Sequence, residues 1–245
     1  KIRKKINVHL STCPERAIPG ATIDEMTHNN RIIGASSKLA FNKTKKIYKK
    51  FVKGKIFEMS LIEAELVKLF ENTYRDTNIA LANEMDTICK NFGISSKKVI
   101  KHANLHPRVN IHKPGIGVGG HCLPVDPWFL LNKKKNHSLI FTSRAVNINK
   151  EDEIYSELSK NLYNKKILIF GTTYKENSDD IRNSSSLNII KKILKKFPKV
   201  KVFDPWNKSY NNILKSEVLK NKFDLLVIFV NHKWLIKNKI KFVKK

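Results

Sequence analysis

The chain has 245 residues, 41% of them hydrophobic, and 48 Lys and Arg against 21 Asp and Glu give a formal net charge of +27. That apolar fraction excludes wholesale disorder despite the charge, and the length allows one large domain or two of roughly 100–200 residues. The longest apolar run, Phe223–Val230, is far short of the roughly 20 residues that span a bilayer, and Lys1–Leu10 is too short and mixed for a signal peptide, so a soluble cytoplasmic protein with no membrane partner is expected.

The first residue is Lys1 rather than Met and the text begins mid-pattern, which reads as a fragment of a longer chain. Ile6–Leu10 alternates apolar and polar residues and predicts a strand; Ser11–Gly20, with two prolines and a glycine, predicts a loop. Asn30–Gly34 is a short strand candidate and Lys38–Lys50 a helix, together the last pieces of an α/β domain. From Ser60 to Asn91 apolar residues recur at helical spacing with no proline, and Gly93 follows. Thirty residues make a rod of roughly 45 Å, a length suited to bridging domains or pairing with its copy in a second subunit. Ser95–Val99 starts a shorter helix. Beyond Asn147 the order is helix (Glu151–Tyr163), apolar strand closed by glycine (Lys166–Gly171), helix (Ser184–Phe197), strand (Lys199–Asp204) and strand (Phe223–Val230). That alternation predicts a doubly wound parallel sheet.

The three cysteines, Cys13, Cys89 and Cys122, form no close pair, so neither a disulfide framework nor a metal site is indicated. Only seven of the 48 basic residues are Arg, and the lysines are spread over every segment. Specific nucleic-acid readers concentrate Arg on one face. Compositional drift explains the charge, with non-specific polyanion binding as the alternative.

Three constellations carry chemistry. Pro114–Phe129 contains Gly115-x-Gly117-x-x-Gly120, the letters of a dinucleotide fingerprint, but that motif must follow a strand and open a helix. Pro114 before it and Pro124 and Pro127 after it argue against that context. Four glycines in six positions instead let the backbone pass close to a bound group. Cys122 then sits just before Pro124, at the expected start of a helical turn, where amide donors stabilise a thiolate and lower its pKa. Asp126 follows four residues later. The alternative is a buried cysteine beside a structural turn. On the long helix, Lys68 and Asn72 are four apart and share a face with Arg75 nearby, a pair of donors suited to an oxyanion; the alternative is a solvated helix face. Thr172–Lys175 follows a strand, where parallel sheets bind ligands, and Arg182 in Asp179–Arg182 precedes a helix and suits phosphate. Ordinary loop polarity is the alternative there.

These segments occur together in the order seen in the UDP-glucose/GDP-mannose dehydrogenase family of nucleotide-sugar 6-dehydrogenases, which the chain resembles over nearly its whole length. The resemblance is carried by Cys-Pro-Glu-Arg at 13–16, Ala-Glu-Leu-Val-Lys-Leu at 64–69 with Asn72, Gly-Val-Gly-Gly-His-Cys-Leu-Pro-Val-Asp at 117–126, and Lys175 with Asp-Asp-Ile-Arg at 179–182. Pro-Glu-Arg-Ala-Ile-Pro-Gly at 14–20 and the run Glu71–Glu84 resemble most the members that act on UDP-N-acetyl-D-mannosamine.

The resemblance implies an α/β protein in three parts: the remnant of a Rossmann-like NAD domain to about residue 55, a helical central domain over 56–146, and an incomplete UDP-binding doubly wound domain over 147–245. It implies NAD as cofactor, a UDP-sugar substrate, a homodimer through the long helix, and no specific nucleic acid. Cys122 matches the nucleophile that captures the C6 aldehyde as a thiohemiacetal and carries it to a thioester. Lys68 and Asn72 match oxyanion donors, Asp126 the carboxylate that holds the lysine and a water, and Glu15 a glutamate that assists thioester hydrolysis and borders the cofactor. Arg108 resembles an arginine that reaches the neighbouring subunit's nucleotide site. Gly119 and Lys175 match substrate contacts, and Arg182 a contact to NAD phosphates. UDP-glucose and UDP-N-acetylglucosamine remain alternative substrates, and a non-catalytic relative an alternative class. Pro19 stands where UDP-glucose members carry a second glutamate. The N-terminal dinucleotide fingerprint is not among these residues, so the chain by itself is not expected to turn over.

Overall fold

Residues 8–17, 21–131 and 138–238 are described by the computed structural model. Ile6 and Asn7 of the first predicted strand, and Pro19, lie outside them. The chain divides into two units, Lys1–Asn72 and Thr73–Lys245.

In the first unit, β1 (Ser11–Thr12) precedes α1 (Thr22–His28), β2 (Arg31–Ala35), α2 (Lys38–Tyr48) and β3 (Ile56–Met59). The pairing strand thus begins at Ser11, inside the segment read as a loop, and Val8–Leu10 is not strand. β1 runs antiparallel to β2, and β2 pairs with β3 in parallel with Arg31 opposite Ile56. The crossover between β2 and β3 is α2, capped by Ser37, whose hydroxyl accepts the Ala40 N–H. Gly34 is required where β2 passes under the next helix, because a Cβ there would come within 2.7 Å of Ala64 and Thr12.

Helix α3 (Leu61–Asn91) opens on a reciprocal cap, with Ser60 N–H donating to Glu63 and the Glu63 N–H donating to the Ser60 hydroxyl. It ends at Gly93, whose φ of +66° lets Ile94 N–H return to the Cys89 carbonyl. This is the rod predicted from the sequence.

The second unit continues with α4 (Ser96–Ala103), a loop to α5 (Asp126–Phe129), and α6 (Leu139–Ser159). The face of α6 that is buried is polar: Ser143, Arg144, Asn147 and Lys150. Then come β4 (Ile167–Phe170), α7 (Ser185–Lys196), β5 (Lys201–Phe203), α8 (Lys215–Lys220), β6 (Leu225–Ile228) and α9 (Lys233–Lys237). The strands form a parallel sheet in the order β5-β4-β6. Ile167 and Ile169 face α7 through Ile189, Ile190 and Ile193, while Leu168 and Phe170 face Phe203, Val218 and Phe223 on the other side. Both faces of β4 are therefore covered, which is why it reads as an unbroken apolar run. Each fully buried aliphatic side chain here contributes about 1.5–3 kcal/mol. The free edge of β5 is closed by asparagine: Asn212 exchanges bonds with Val202 N–H and the Val200 carbonyl, and Asn211 does the same with both backbone groups of Asp204. Among the described residues, no helix is long and apolar enough to cross a membrane, and no three His, Cys, Asp or Glu cluster to hold a metal.

Candidate active site

The glycine loop is held at both ends. Gly115 N–H donates to the Asn83 amide oxygen at 2.8 Å, and Gly120 N–H donates to the Arg182 carbonyl at 3.1 Å, with Asn183 donating back to the Gly120 carbonyl. Gly117, between these anchors, has φ +131° and Gly120, at the second, φ +97°, values that favour glycine. The glycines also make room for the protein itself. A Cβ at Gly119 would lie 2.8 Å from the Asn183 carbonyl oxygen and from the Tyr174 Cβ, and one at Gly117 would lie 2.7 Å from the Ser185 hydroxyl. The reading that all four glycines serve a bound group is corrected accordingly: one side of the loop is closed by residues 174–185.

Between the loop and this segment opens a cavity of about 290 Å³ lined by Gly117, Gly119, Tyr174, Glu176, Ser185 and Asn231. It lies beyond the carboxyl ends of β4 and β6, where the strand order reverses, the usual ligand crevice of such a sheet. Cys122 is half-buried and free, and its carbonyl accepts the N–H groups of Val125 and Asp126. The turn so formed leads into α5, so the cysteine precedes a single helical turn, with Pro127 at its start.

Cys122 belongs to a small charged neighbourhood. Burial pushes the Tyr174 phenol up, Asp180 pushes further in the same direction, and Arg182 pulls part of the way back. Arg182 clasps Asp180 through Nε and Nη2 at 2.6–3.1 Å, and this hydrogen bonding holds the Asp180 carboxyl below its ordinary range. Arg182 is itself largely exposed, which fits a phosphate contact. The 115–120 letters do not fit a dinucleotide, since no strand precedes them and their glycines are packed on the chain's own segment. Lys175 is half-buried, and its carbonyl accepts the Thr173 hydroxyl.

Gly119, Cys122, Asp126, Lys175 and Arg182 all belong to the second unit. Arg108 is in the same unit, exposed and bonded to its neighbour His106, on a loop pinned by reciprocal bonds between Asn104 and Ile111. Glu15, Lys68 and Asn72 belong to the first unit. Lys68 and Asn72 lie one turn apart on α3, Lys68 half-buried and Asn72 buried. Glu15 is held by three donors: the N–H groups of Arg16 and Ala17, both at 2.7 Å, and Arg31 at 3.2 Å. Partial burial pushes its carboxyl up, but these donors outweigh it and the net direction is down.

Sequence reasoning missed the groups that support the 172–177 segment. Asp204, fully buried, accepts bonds from Thr172, Trp206, Asn207 and His232. Burial raises its pKa, and these donors, His232 foremost, bring it down to about 2. The buried His232 accepts the Asn177 N–H on Nδ1, which leaves Nε2 to carry the proton toward Asp204. The two residues are 28 apart in sequence with no local pattern linking them.

Three models of the UDP-glucose/GDP-mannose dehydrogenase family match the chain in order: the NAD binding domain at residues 1–52, the central domain at 62–151, and the UDP binding domain at 168–244. A UDP-N-acetyl-D-mannosamine dehydrogenase of Methanococcus maripaludis is 47% identical over 212 residues, covering 84% of this chain and 50% of that protein. An NDP-N-acetyl-D-galactosaminuronic acid dehydrogenase of Ralstonia solanacearum is 34% identical, covering 95% and 57%. Among solved structures, the UDP-N-acetyl-mannosamine dehydrogenase of S. aureus superposes with a TM-score of 0.82 at 39% identity, covering 96% of this chain and 59% of that one. The corresponding Pyrococcus horikoshii structure gives 0.81 at 38% identity, covering 93% and 56%. The chain spans about half the length of the curated relatives it matches. On its ordered motifs, its fold and these matches, the chain belongs to the UDP-glucose/GDP-mannose dehydrogenase family.

Proposed function

We propose that the protein is an NAD-dependent dehydrogenase that oxidises the C6 hydroxyl of UDP-N-acetyl-D-mannosamine to the uronate, with Cys122 as the nucleophile. The observation that carries this reading is the half-buried thiol near Arg182, two residues beyond a loop that is anchored at both ends and whose Gly117 and Gly119 line a cavity at the sheet's ligand crevice. The names of the relatives support the choice of sugar.

In this mechanism the Cys122 sulfur adds to the C6 aldehyde and the hemiacetal so formed is oxidised to a thioester, which water cleaves to the acid. NAD, when bound, supplies the hydride acceptor for both oxidations, two molecules for each sugar. Lys68 and Asn72 stabilise negative charge on the C6 oxygen. Asp126 holds a water, and Glu15, held ionised, assists thioester hydrolysis. Gly119 and Lys175 contact the UDP-sugar, Arg182 a cofactor phosphate, and Arg108 the nucleotide of a partner subunit. The domain scheme of 1–55, 56–146 and 147–245 is supported by the ranges of the three family matches.

A homodimer through α3 is supported by the exposed stripe Tyr74, Leu81 and Ile88, spaced seven apart on one helical face. The family's chemistry, which makes an acidic sugar nucleotide, points to polysaccharide synthesis in the cytoplasm.

The test is a substrate panel on a protein of the relatives' full length. UDP-N-acetyl-D-mannosamine is expected to yield two NADH per sugar. Turnover of UDP-glucose or UDP-N-acetylglucosamine alone would reassign the substrate, and turnover of none would overturn the reading.

A further inference from the structure

The glycine loop's first anchor is the last link of a buried polar chain. Asn83 accepts the Gly115 N–H on Oδ1 at 2.8 Å and donates from Nδ2 to the Asn147 amide oxygen at 3.0 Å. Asn147 in turn donates to Asp76, to the carboxylate Oδ1 at 2.9 Å and to the main-chain carbonyl at 3.0 Å. Asp76 Oδ1 also accepts Arg144 Nη1. Asp76, Asn83 and Asn147 are each 1% exposed and Arg144 4%, so water does not substitute for the bonds among these four side chains.

We propose that Asn83 is a positioning residue for Cys122, and that Asn147 and Asp76 orient it. The direction of the chain of bonds makes the argument. Asp76 presents two acceptors, a carboxylate oxygen and a carbonyl, to Asn147, so the Asn147 amide must turn its NH₂ toward α3 residue 76 and its oxygen toward Asn83. That oxygen takes the Asn83 NH₂, which leaves the Asn83 oxygen facing Gly115. The Gly115 N–H therefore meets an acceptor of fixed orientation, seven residues before the thiol. The second anchor, from Gly120 to Arg182, is two residues before it. With four residues between the anchors, Gly117 among them at positive φ, a loop released at Gly115 regains several backbone rotations and the position of the thiol changes.

A purely structural reason for the same residues is weak. The buried Asp76–Arg144 pair leaves Asp76 Oδ2 and Arg144 Nε with no hydrogen-bond partner among the described residues. Apolar residues of similar shape hold two helices together as well as such a pair does. The same two helices are already joined by a second polar group, Lys150 with Asp86 and Glu153, which touches no part of the loop.

The inference rests on Cys122 being the nucleophile, but its test reads thiol position directly. Cys122 in the 245-residue chain is alkylated with iodoacetamide and the modified peptide is followed by mass spectrometry in the wild type, N83L, N147L and K150M, beside the melting midpoint of each. N83L is expected to speed alkylation of Cys122 by roughly five-fold or more, the factor that one lost hydrogen bond gives in an opening equilibrium. N147L should act in the same direction. K150M should lower the midpoint yet leave the rate within about two-fold of the wild type, because its lesion does not reach the loop. A Cys122 rate in N83L within about two-fold of the wild type, or an equal acceleration in K150M, would overturn the proposal. If N83L does not fold, N147L decides on the same criterion; if K150M does not fold, K90M, which removes the Lys90 pairs with Glu153 and Glu157 across the same two helices, replaces it. Failure of a full-length protein to oxidise UDP-sugars would overturn the dehydrogenase reading and leave this measurement standing.

Discussion

Gly120 donates its N–H to the Arg182 carbonyl at 3.1 Å, and so ties the turn that carries Cys122 to the segment between β4 and α7. Two sequence motifs that are 62 residues apart thereby become one site. The glycines of the loop allow this approach: Gly119 packs against the Asn183 carbonyl and the Tyr174 Cβ, and Gly120 against the Tyr174 ring.

Gly119→Ala tests that closeness. The added methyl would meet the Asn183 carbonyl oxygen and the Tyr174 Cβ, both at 2.8 Å. A loss of about 1–3 kcal/mol is expected from overpacking, read as a lower urea midpoint at unchanged m-value. A wild-type midpoint would show that the loop is free to move off residues 174–183.

Asp204→Asn tests the support under Tyr174 and Lys175. With a folded pKa of about 2 against an ordinary 3.8, the carboxylate contributes roughly 2–3 kcal/mol to stability at neutral pH. The depressed value means this contribution is complete above pH 4 and lost as pH falls through about 2. D204N should be less stable than the wild type at neutral pH, with the difference shrinking below pH 4 in acid-unfolding curves. A constant difference across that window would contradict the assignment.

Arg31→Met tests how Glu15 is held. Arg31 is buried, lies over the Tyr48 ring and donates to Glu15. Carbon-detected titration of the Glu15 carboxyl should give a midpoint below the ordinary glutamate value in the wild type. In R31M it should move upward, because one donor to the charged form is gone. The wild-type carboxyl favours folding above the ordinary glutamate range, and that gain disappears as pH falls through its lowered value. An unmoved midpoint in R31M would leave the backbone donors of Arg16 and Ala17 as the whole cause.

Leu81→Glu tests the exposed stripe of α3. Sedimentation of a full-length protein should show a dimer, weakened about 100-fold or more by a charge placed at the centre of the stripe. A dimer of unchanged affinity would move the interface elsewhere.

Much of the fold was legible in the sequence, for reasons particular to each element. Helix α3 carries an unbroken periodicity between the Ser60 cap and Gly93, and β4 is apolar throughout because both its faces are covered. The first half of α6 was not legible: its buried face is Ser143, Arg144, Asn147 and Lys150, so the pattern of apolar residues does not mark it. Strand β3, an edge strand with no fully buried residue, and α1, likewise without one, escaped for lack of an apolar signature. At the site, Cys122 and its motif stood out by composition, while Asn83, Tyr174, Asp204 and His232 act through partners far away in the chain.

Rapid quenching of a full-length protein with UDP-N-acetyl-D-mannosamine and NAD, followed by mass spectrometry of the Cys122 peptide, tests the central claim most directly. The account expects a sugar acyl adduct on that peptide during turnover, absent in C122S, which should release no second NADH. Formation of two NADH per sugar by C122S at the wild-type rate, with no adduct in either protein, would contradict it.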